Sequence, residues 1–470
     1  MPQRKSFDLV VVGSGPGGEG AAMQAAKLKK SVAVIEQSPL IGGNCIHRAT
    51  IPSKTLRHTA HQLVVFKSDP LFMPLVSGLS TQLQIRFSDI LARAKDVISK
   101  QVALHSSHYA RNKVEVIHGR ASLIDANTIR VDKGFGLSED IQANYVIFAT
   151  GSRPFHPEGI DFTNPRVFDS DTILDLNIEP RTVTIYGAGV VGCEYTSIFR
   201  TLGKKVMLIN NRSKLMSFLD DEIVDALSYH LRDEGVVIRH NEFFDDVEVD
   251  DERVVMSLKS GKKVYSDILL VASGRIGNSE NLGFEKLNIE KNQRGYVTVN
   301  KYFQTSAPNI YAVGDLVGFP NLASAAYDQG RFAALHIYQP DADNGVLQDA
   351  PLGIYTTPEI SSIGKTEQEL TAERIPYEVG QASFRHLARS QITGRKVGML
   401  KILFHRETLQ ILGIHCFGQN ATEIVHIGQT IMLQKGEANN LHYFTSTTFN
   451  YPTMAEAYRV AALNGLNRVS

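Results

Sequence analysis

The stretch Phe7-Asp8-Leu9-Val10-Val11-Val12-Gly13-Ser14-Gly15-Pro16-Gly17-Gly18 decides the fold. Its first half is an apolar run that reads as a buried strand, and its second half is a glycine-rich turn. An alanine-rich helical stretch to about Lys30 follows, then a second apolar run from Val32 to Ile35. Strand, turn, helix and strand make one βαβ unit. Within it Gly13 permits the tight turn and Gly15 lets the backbone approach a pyrophosphate. Gly18 lets helix and strand pack closely, and the helix N-terminus favours the anion. Glu36 lies 18 residues after Gly18, where a carboxylate accepts hydrogen bonds from a ribose diol. The glycines alone would fit a loop that merely packs; the strand, helix and acid around them point to a dinucleotide.

The same grammar returns 174 positions later. Thr182 to Tyr186 is the strand, Gly187-Ala188-Gly189-Val190-Val191-Gly192 the turn, and a helix runs through Glu194 to Leu202 before a strand at Val206 to Ile209. Here Asn210, followed by Asn211 and Arg212, takes the position of the acid. A carboxylate there would bond the 2′-hydroxyl of NAD and repel the 2′-phosphate of NADP. A neutral amide beside an arginine excludes neither, so this unit is expected to accept both; plain solvated charge is the competing reading of Arg212 and Lys214. Smaller echoes support a duplication. Tyr145 to Gly151, with Thr150 before the glycine, resembles Ile268 to Gly274, each a buried strand ending in a small-residue turn. Asn309 to Asp315 is a further strand that ends in Gly314-Asp315, and Asp315 is placed to accept from a sugar or ribityl hydroxyl. The helix expected from about Ala323 would present its positive end to negative charge on a reduced cofactor.

Composition narrows the remaining classes. The 470 residues are 43% hydrophobic and 21% charged, an ordinary globular balance with room for about three domains. Lys plus Arg and Asp plus Glu each number 49, so the net charge is zero. That argues against a nucleic-acid binder, which carries a basic stripe. Three cysteines, Cys45, Cys193 and Cys416, give no disulfide framework and fit a reducing cytosol. The start of the chain lacks a signal-peptide pattern, and no apolar run reaches the roughly 18 residues that a bilayer span needs. A soluble, cytoplasmic protein is the expectation. No His/Cys/Asp spacing reads as a metal site; His415-Cys416 reads as packing.

Alternating segments near Thr128 to Val131 and Arg253 to Leu258 read as small antiparallel additions. The polar stretch Gln339 to Pro351 reads as a linker. Beyond it, strands at Gly398 to Phe404 and Ile411 to Cys416 and helices at Ala421 to Gln434 and Met454 to Leu463 describe an α+β domain without a nucleotide turn. The expected fold is therefore α/β: two Rossmann-like dinucleotide-binding domains and a C-terminal α+β domain.

One segment is more specific: Gly42-Gly43-Asn44-Cys45-Ile46-His47-Arg48-Ala49-Thr50-Ile51-Pro52-Ser53-Lys54. Together with the two turns it resembles the FAD-dependent pyridine nucleotide–disulfide oxidoreductases, over essentially the whole chain. Their segment reads G-G-T-C-x-N-x-G-C-x-P-S-K, and its two cysteines form a redox disulfide against the flavin. Here Cys45 keeps the first position and Thr50 takes the second, and a threonine hydroxyl forms no disulfide. The family motif H-P-T-x-x-E near the C-terminus supplies an acid/base for the thiols. Here it reads Tyr451-Pro452-Thr453-Met454-Ala455-Glu456. Tyrosine, with a reference pKa of about 10, is a poor base at neutral pH.

The nicotinamide side matches the family. Lys54 corresponds to the lysine beside the flavin and Glu194 to its ion-pair partner. The resemblance implies that Gly13, Gly15, Gly18, Glu36, Gln37, Gly42, Gly43, Cys45, Lys54, Thr150, Gly151, Gly314, Asp315 and Ala323 face one non-covalent FAD per subunit. It implies that Gly187, Gly189, Gly192, Glu194, Asn210, Arg212, Gly274 and Arg275 face NAD(P). It divides the chain into an FAD domain at 1–155, an NAD(P) domain at 156–277, a return to the FAD and central region at 278–348, and a dimerisation domain at 349–470, hence a homodimer or higher assembly. The Cys-to-Thr pattern is similar to that of the family's soluble transhydrogenase branch. With the dithiol exit removed, hydride entering from one nucleotide leaves to another in the same pocket. The implied reaction is ping-pong exchange, NADPH + NAD⁺ ⇌ NADP⁺ + NADH, with FAD between the halves. The alternative is a diaphorase or oxidase that passes electrons to quinone or oxygen.

Overall fold

The strand that opens the chain is buried along Leu9–Val12 because its sheet is covered on both faces, as a continuous apolar run requires. The computed structural model describes residues 5–69, 71, 86–250, 252–341 and 350–469. In it β1 (Ser6–Val12) leads through the glycine turn to α1 (Pro16–Lys27) and β2 (Val32–Glu36), and β1 and β2 pair in parallel. Pro16 opens α1, where a missing N–H costs nothing. The short α2 (Gly43–His47) and α3 (Thr50–Ser68) follow, then the long α4 (Phe87–Arg111), β3 (Glu115–His118), β4 (Arg120–Leu123), β5 (Thr128–Gly134), β6 (Leu137–Phe148) and β7 (Ser152–Pro154). The first sheet runs β3-β2-β1-β6-β5-β4. Its β1, β2, β3 and inner β6 are parallel, while β4 and β5 form an antiparallel edge.

The second unit repeats the plan with β8 (Val167–Asp169), β9 (Thr182–Tyr186), α5 (Val190–Thr201), β10 (Lys205–Ile209), α6 (Asp221–Asp233) and β11 (Val237–Arg239). An antiparallel set, β12 (Phe244–Val249), β13 (Val254–Leu258) and β14 (Lys263–Ser266), precedes β15 (Ile268–Val271). The parallel order is β11-β10-β9-β15-β8. Each glycine turn closes against its own strand. A Cβ on Gly18 would lie 1.9 Å from the Gly13 carbonyl oxygen, and one on Gly192 would lie 1.8 Å from that of Gly187. Neither position admits a side chain, which is why the third glycine recurs in both.

The chain then crosses back. β16 (Arg275–Gly277) pairs antiparallel with β7, β17 (Ile310–Ala312) joins the first sheet beside β6, and α7 (Ala323–Tyr338) packs on α1. Small residues make that helix contact close: Ala21, Ala22 and Ala25 share a core with Ala333 and Ala334. Of the stretch read as a linker, residues 342–349 lie outside the described residues.

The last unit is one antiparallel sheet, β18 (Leu352–Ile354), β19 (Glu359–Gly364), β22 (Ile411–Gly418), β21 (Gly398–His405) and β20 (Tyr377–Ser383), in that spatial order. The helices α8 (Glu367–Ala372), α9 (Ala388–Ile392), α10 (Ala421–Met432), α11 (Tyr443–Ser446) and α12 (Glu456–Val469) accompany it. The final helix begins two residues later than its expected start and runs to Val469. His415 and Cys416 are both buried in the sheet, and the His415 ring bonds Ser362 Oγ and the Lys365 carbonyl.

A buried ion cluster joins this sheet to the second unit. Lys401 on β21 has a fully buried side chain, with its Nζ 2.8 Å from Asp220 Oδ1, 3.1 Å from Glu222 Oε2 and bonded to Glu367. Asp220 also caps α6 by accepting from the Glu222 N–H. Burial pushes its carboxyl up, but His415, the Lys401 ammonium and the Glu367 N–H outweigh burial and hold it below the usual carboxylate value. Lys401→Met is expected to cost about 3–5 kcal/mol, because it leaves a buried carboxylate without its counter-charge. A carboxyl held low in the folded state stabilises the fold above its unfolded value of about 3.9 and loses that contribution as pH falls further. The melting temperatures of wild type and variant, compared in thermal denaturation, should therefore converge below about pH 4.

Candidate active site between the two nucleotide-binding units

Both glycine turns open on one cavity of about 2310 Å³. That is more than twice the roughly 1,000 Å³ upper range of a single small-ligand pocket. Gly13 and Gly15 line it from the first unit, Gly189 from the second, and Lys54, Glu194 and Asp315 lie between.

An ion pair borders the cavity. Lys54, near the start of α3, places its Nζ 2.8 and 2.7 Å from the two oxygens of Glu194 on α5. The Glu194 side chain is 5% exposed and that of Lys54 26%. The backbone N–H of Tyr355 donates to Glu194 Oε1 at 2.9 Å, and the Tyr355 ring lies 5.0 Å from Lys54 Nζ. Three parts of the chain, α3, α5 and the segment after β18, thus meet at one carboxylate.

At the first turn, Glu36 is buried at the end of β2. Its Oε2 accepts from the Ser14 N–H at 3.0 Å and the Ser14 hydroxyl at 2.6 Å, and its Oε1 accepts from Ser38 N–H at 2.8 Å. Ser14 Oγ in turn accepts from the Gly42 N–H at 2.9 Å. The acid and the glycine turn are therefore held to each other. Deeper in, Asp315 accepts from Ser152 Oγ at 2.8 Å, and the same oxygen accepts from Arg275 Nε at 2.7 Å. Arg275 Nη2 also reaches the Ser152 carbonyl at 2.8 Å, and its Nη1 lies 3.4 Å from Asp171 Oδ1. Arg275 lines the cavity while its guanidinium bridges β7 to the second unit.

Thr50 stands where a second thiol would. Burial pushes the Cys45 thiol up; the hydrogen bond from the Thr50 side chain opposes this without reversing it. Cys45, Cys193 and Cys416 are all free. Tyr451 is 68% exposed and lies on the surface, outside the cavity lining of its own chain.

The family description "Pyridine nucleotide-disulphide oxidoreductase" matches residues 7–330, and its dimerisation domain matches residues 350–462. The chain belongs to the pyridine nucleotide-disulphide oxidoreductases. It is 56% identical over 469 residues to a protein of Serratia proteamaculans named soluble pyridine nucleotide transhydrogenase, covering 100% of both chains. A protein of the same name from Pectobacterium atrosepticum is 57% identical, with 98% of each chain covered. Among solved structures, the HOCl-induced flavoprotein disulfide reductase RclA of Escherichia coli superposes with a TM-score of 0.86. It is 26% identical, over 97% of this chain and 99% of that one. As a member of this family the chain is an FAD- and NAD(P)-binding oxidoreductase whose C-terminal domain serves self-association. Among the described residues, no helix is long and apolar enough to cross a membrane.

The cavity of this oxidoreductase gathers most of the residues singled out from the sequence. Gln37, Gly43, Cys45, Thr150, Gly151, Gly274, Gly314 and Ala323 line it as well. Gly18, Gly42, Gly187 and Gly192 do not, and they act in the turns behind it. Asn210 and Arg212 are also absent from the lining. Asn210 is buried: its amide donates to the Lys214 carbonyl at 2.9 Å and faces His240 Nδ1 at 3.0 Å, and its Oδ1 accepts from Arg212 N–H at 3.2 Å. A buried amide needs such partners, and here they are internal. Arg212 stays exposed, with Nη1 3.0 Å from Ser217 Oγ, and Lys214 pairs with Asp221 on the surface. Sequence reasoning missed Ser14, Ser152 and Tyr355. Ser14 sits inside the quoted turn, and its proximity to Glu36 was the available signal; the other two act through tertiary contacts.

Thr50→Cys should place a second thiol against Cys45. Oxidation of that variant is expected to leave only Cys193 and Cys416 titratable by a thiol reagent under denaturing conditions. Reduction of a small disulfide substrate should stay at background, because Tyr451 still stands in the position of the base.

Proposed function

We propose that the chain is a FAD-dependent transhydrogenase that catalyses NADPH + NAD⁺ ⇌ NADP⁺ + NADH and so balances the two nucleotide pools. The observation that carries this reading is the pairing of an intact Lys54–Glu194 site with Thr50 opposite a lone Cys45. The nucleotide side of the family's chemistry is built, and the dithiol exit is not. Full-length relatives with the name transhydrogenase support it.

The residues present fit FAD. The first turn leaves no room for side chains behind it and opens Gly13 and Gly15 to the cavity, where a pyrophosphate meets backbone N–H groups and the N-terminus of α1. Glu36 has its orientation fixed by Ser14 and is set to accept from a ribose. Asp315, oriented by Ser152 and Arg275, would meet the ribityl chain. When bound, FAD supplies reversible two-electron chemistry, accepting hydride from a reduced nicotinamide and returning it to an oxidised one.

The protein's own part is orientation and electrostatics. Glu194, anchored by the Tyr355 N–H, holds the Lys54 ammonium at the edge of the cavity, where it would offer positive charge to a bound flavin. At Gly189 a Cβ would meet nothing within 4 Å, so the turn is open to a nucleotide pyrophosphate. Beyond β10 lie the exposed Arg212 and Lys214, with no carboxylate in the acid position, and such a rim accepts a 2′-hydroxyl or a 2′-phosphate. Exchange within one pocket requires both.

The proposed partition places the FAD region at 1–155 and 278–348, the NAD(P) region at 156–277 and the dimerisation region at 349–470. The assembly is a homodimer or a larger oligomer, with one non-covalent FAD per subunit. A cytoplasmic location fits three free thiols and a reaction that draws on both soluble nucleotide pools. A diaphorase or oxidase shares the reductive half of this chemistry, but the named relatives favour exchange.

The deciding experiment is anaerobic turnover of NADPH with thio-NAD⁺, followed at the absorbance of the reduced thio-nucleotide. Fast exchange with parallel double-reciprocal lines is expected. Bleaching of the flavin by NADPH with no onward transfer would rule the proposal out in favour of another acceptor. Lys54→Met should lower kcat for exchange about 100-fold, the order of loss that misplacement by ~1 Å produces.

A further inference from the structure

Beside the first turns of α1, the helix that begins at the first glycine turn, a second cluster of titratable groups comes together that the hydride chemistry does not use. Glu19 follows Gly18 in the first turns of α1 and is buried, 6% exposed. His105 and His108 stand one turn apart near the C-terminal end of α4, on the same face. His105 Nδ1 lies 2.6 Å from Glu19 Oε2, and His108 Nδ1 lies 3.3 Å from Glu19 Oε1. The donor atoms of all three residues lie within 4.8 Å of one another.

We propose that Glu19, His105 and His108 form a binding site for a divalent transition metal, with zinc as the reference ion, that ties α4 to the dinucleotide-binding helix α1. Two imidazole nitrogens and one carboxylate oxygen make an N/O donor set suited to zinc, copper or nickel; calcium and magnesium want oxygen alone. Zinc bonds of 2.0–2.2 Å in tetrahedral geometry separate neighbouring donor atoms by about 3.4 Å. His108 Nδ1 stands near that distance from Glu19 Oε1, while His105 Nδ1 is closer to the other oxygen, Oε2, so the carboxylate has to shift for both rings to share one ion with it. The two imidazoles are partly exposed, 23% and 33%, so an ion can enter from solvent and keep a water in its fourth position.

Metal binding needs neutral imidazoles and an ionised carboxylate, so it should strengthen as pH rises and release protons.

The test uses the full-length FAD-loaded enzyme, stripped with EDTA and equilibrated against Zn²⁺. Bound metal is measured by mass spectrometry, and Co²⁺ serves as a spectroscopic substitute. The wild type should hold one zinc per chain more than a His105→Ala/His108→Ala variant, with zinc affinity at the site reduced by more than about 100-fold, beyond the cost of an outer-shell change. The Co²⁺ spectrum of a low-symmetry N/O site should vanish with it. Flavin absorbance and exchange turnover without metal should be unchanged, since neither histidine touches the catalytic cavity. Equal zinc in wild type and variant would leave Glu19 as a simple hydrogen-bonded clasp and overturn the proposal. Should the double variant fail to fold, His108→Ala alone keeps the shorter His105–Glu19 bond. It must still weaken zinc by at least about tenfold, and an unchanged affinity there overturns the proposal equally.

Discussion

The Glu194 carboxylate is the point on which the arrangement of this molecule turns. It accepts from Lys54 on α3 and from the Tyr355 backbone just after the crossing into the C-terminal unit. Its own helix belongs to the second nucleotide-binding unit. One side chain therefore fixes its own helix relative to two segments that are 140 and 161 residues distant from it in sequence. The pair does not earn its place as a stabiliser. Desolvating two charges offsets most of their attraction, and an apolar replacement of similar volume often serves stability as well or better. What an ion pair does supply is a fixed cation at a chosen place, and here that place is the edge of the cavity.

The other interdomain contacts follow the same logic. Arg275 bridges Ser152, Ser170 and Asp171, and in doing so it fixes the oxygen that orients Asp315. Lys401 binds the start of α6 to the C-terminal sheet. Arg57 on α3 pairs with Glu359 on β19, and both side chains are close to fully buried. Each of these is a charge that burial would penalise if its partner moved away. Together they hold the two glycine turns at a set distance across the cavity, which is the geometric condition for two dinucleotides to meet.

The fold was legible because its signals are local. Strand, glycine turn and helix are contiguous at Phe7–Lys27 and again at Thr182–Thr201, and the third glycine of each turn is dictated by a carbonyl five residues before it. Lys54 and Glu194 were legible for the same reason, since each sits at a fixed offset from a recognisable segment. What escaped was set by tertiary contact. Asn210 was correctly placed at the end of its strand, but the direction of its side chain depends on His240, 30 residues on. The meeting of Glu19 with His105 spans 86 residues and leaves no trace in spacing. Ser152 and Tyr355 act through atoms whose neighbours no local pattern announces.

Thr50 gives the chemistry its direction. Nucleophilic and redox reactivity of a cysteine belongs to its thiolate, and burial here keeps the Cys45 thiol protonated where a partner thiol would draw it into a disulfide. The threonine fills the place, offers a hydroxyl contact and carries no electrons. With Tyr451 in place of a base as well, neither half of a dithiol relay exists, and the proposed exchange has reducing equivalents enter and leave by the nicotinamide face. That closure imposes a demand on the second unit. A pocket that serves donor and acceptor in turn cannot afford the acidic residue that would favour one nucleotide over the other. Asn210, buried and internally bonded at that position, places no carboxylate there. On the proposed exchange reaction, tolerance at one end of the site and the missing thiol at the other would be two consequences of a single chemical choice.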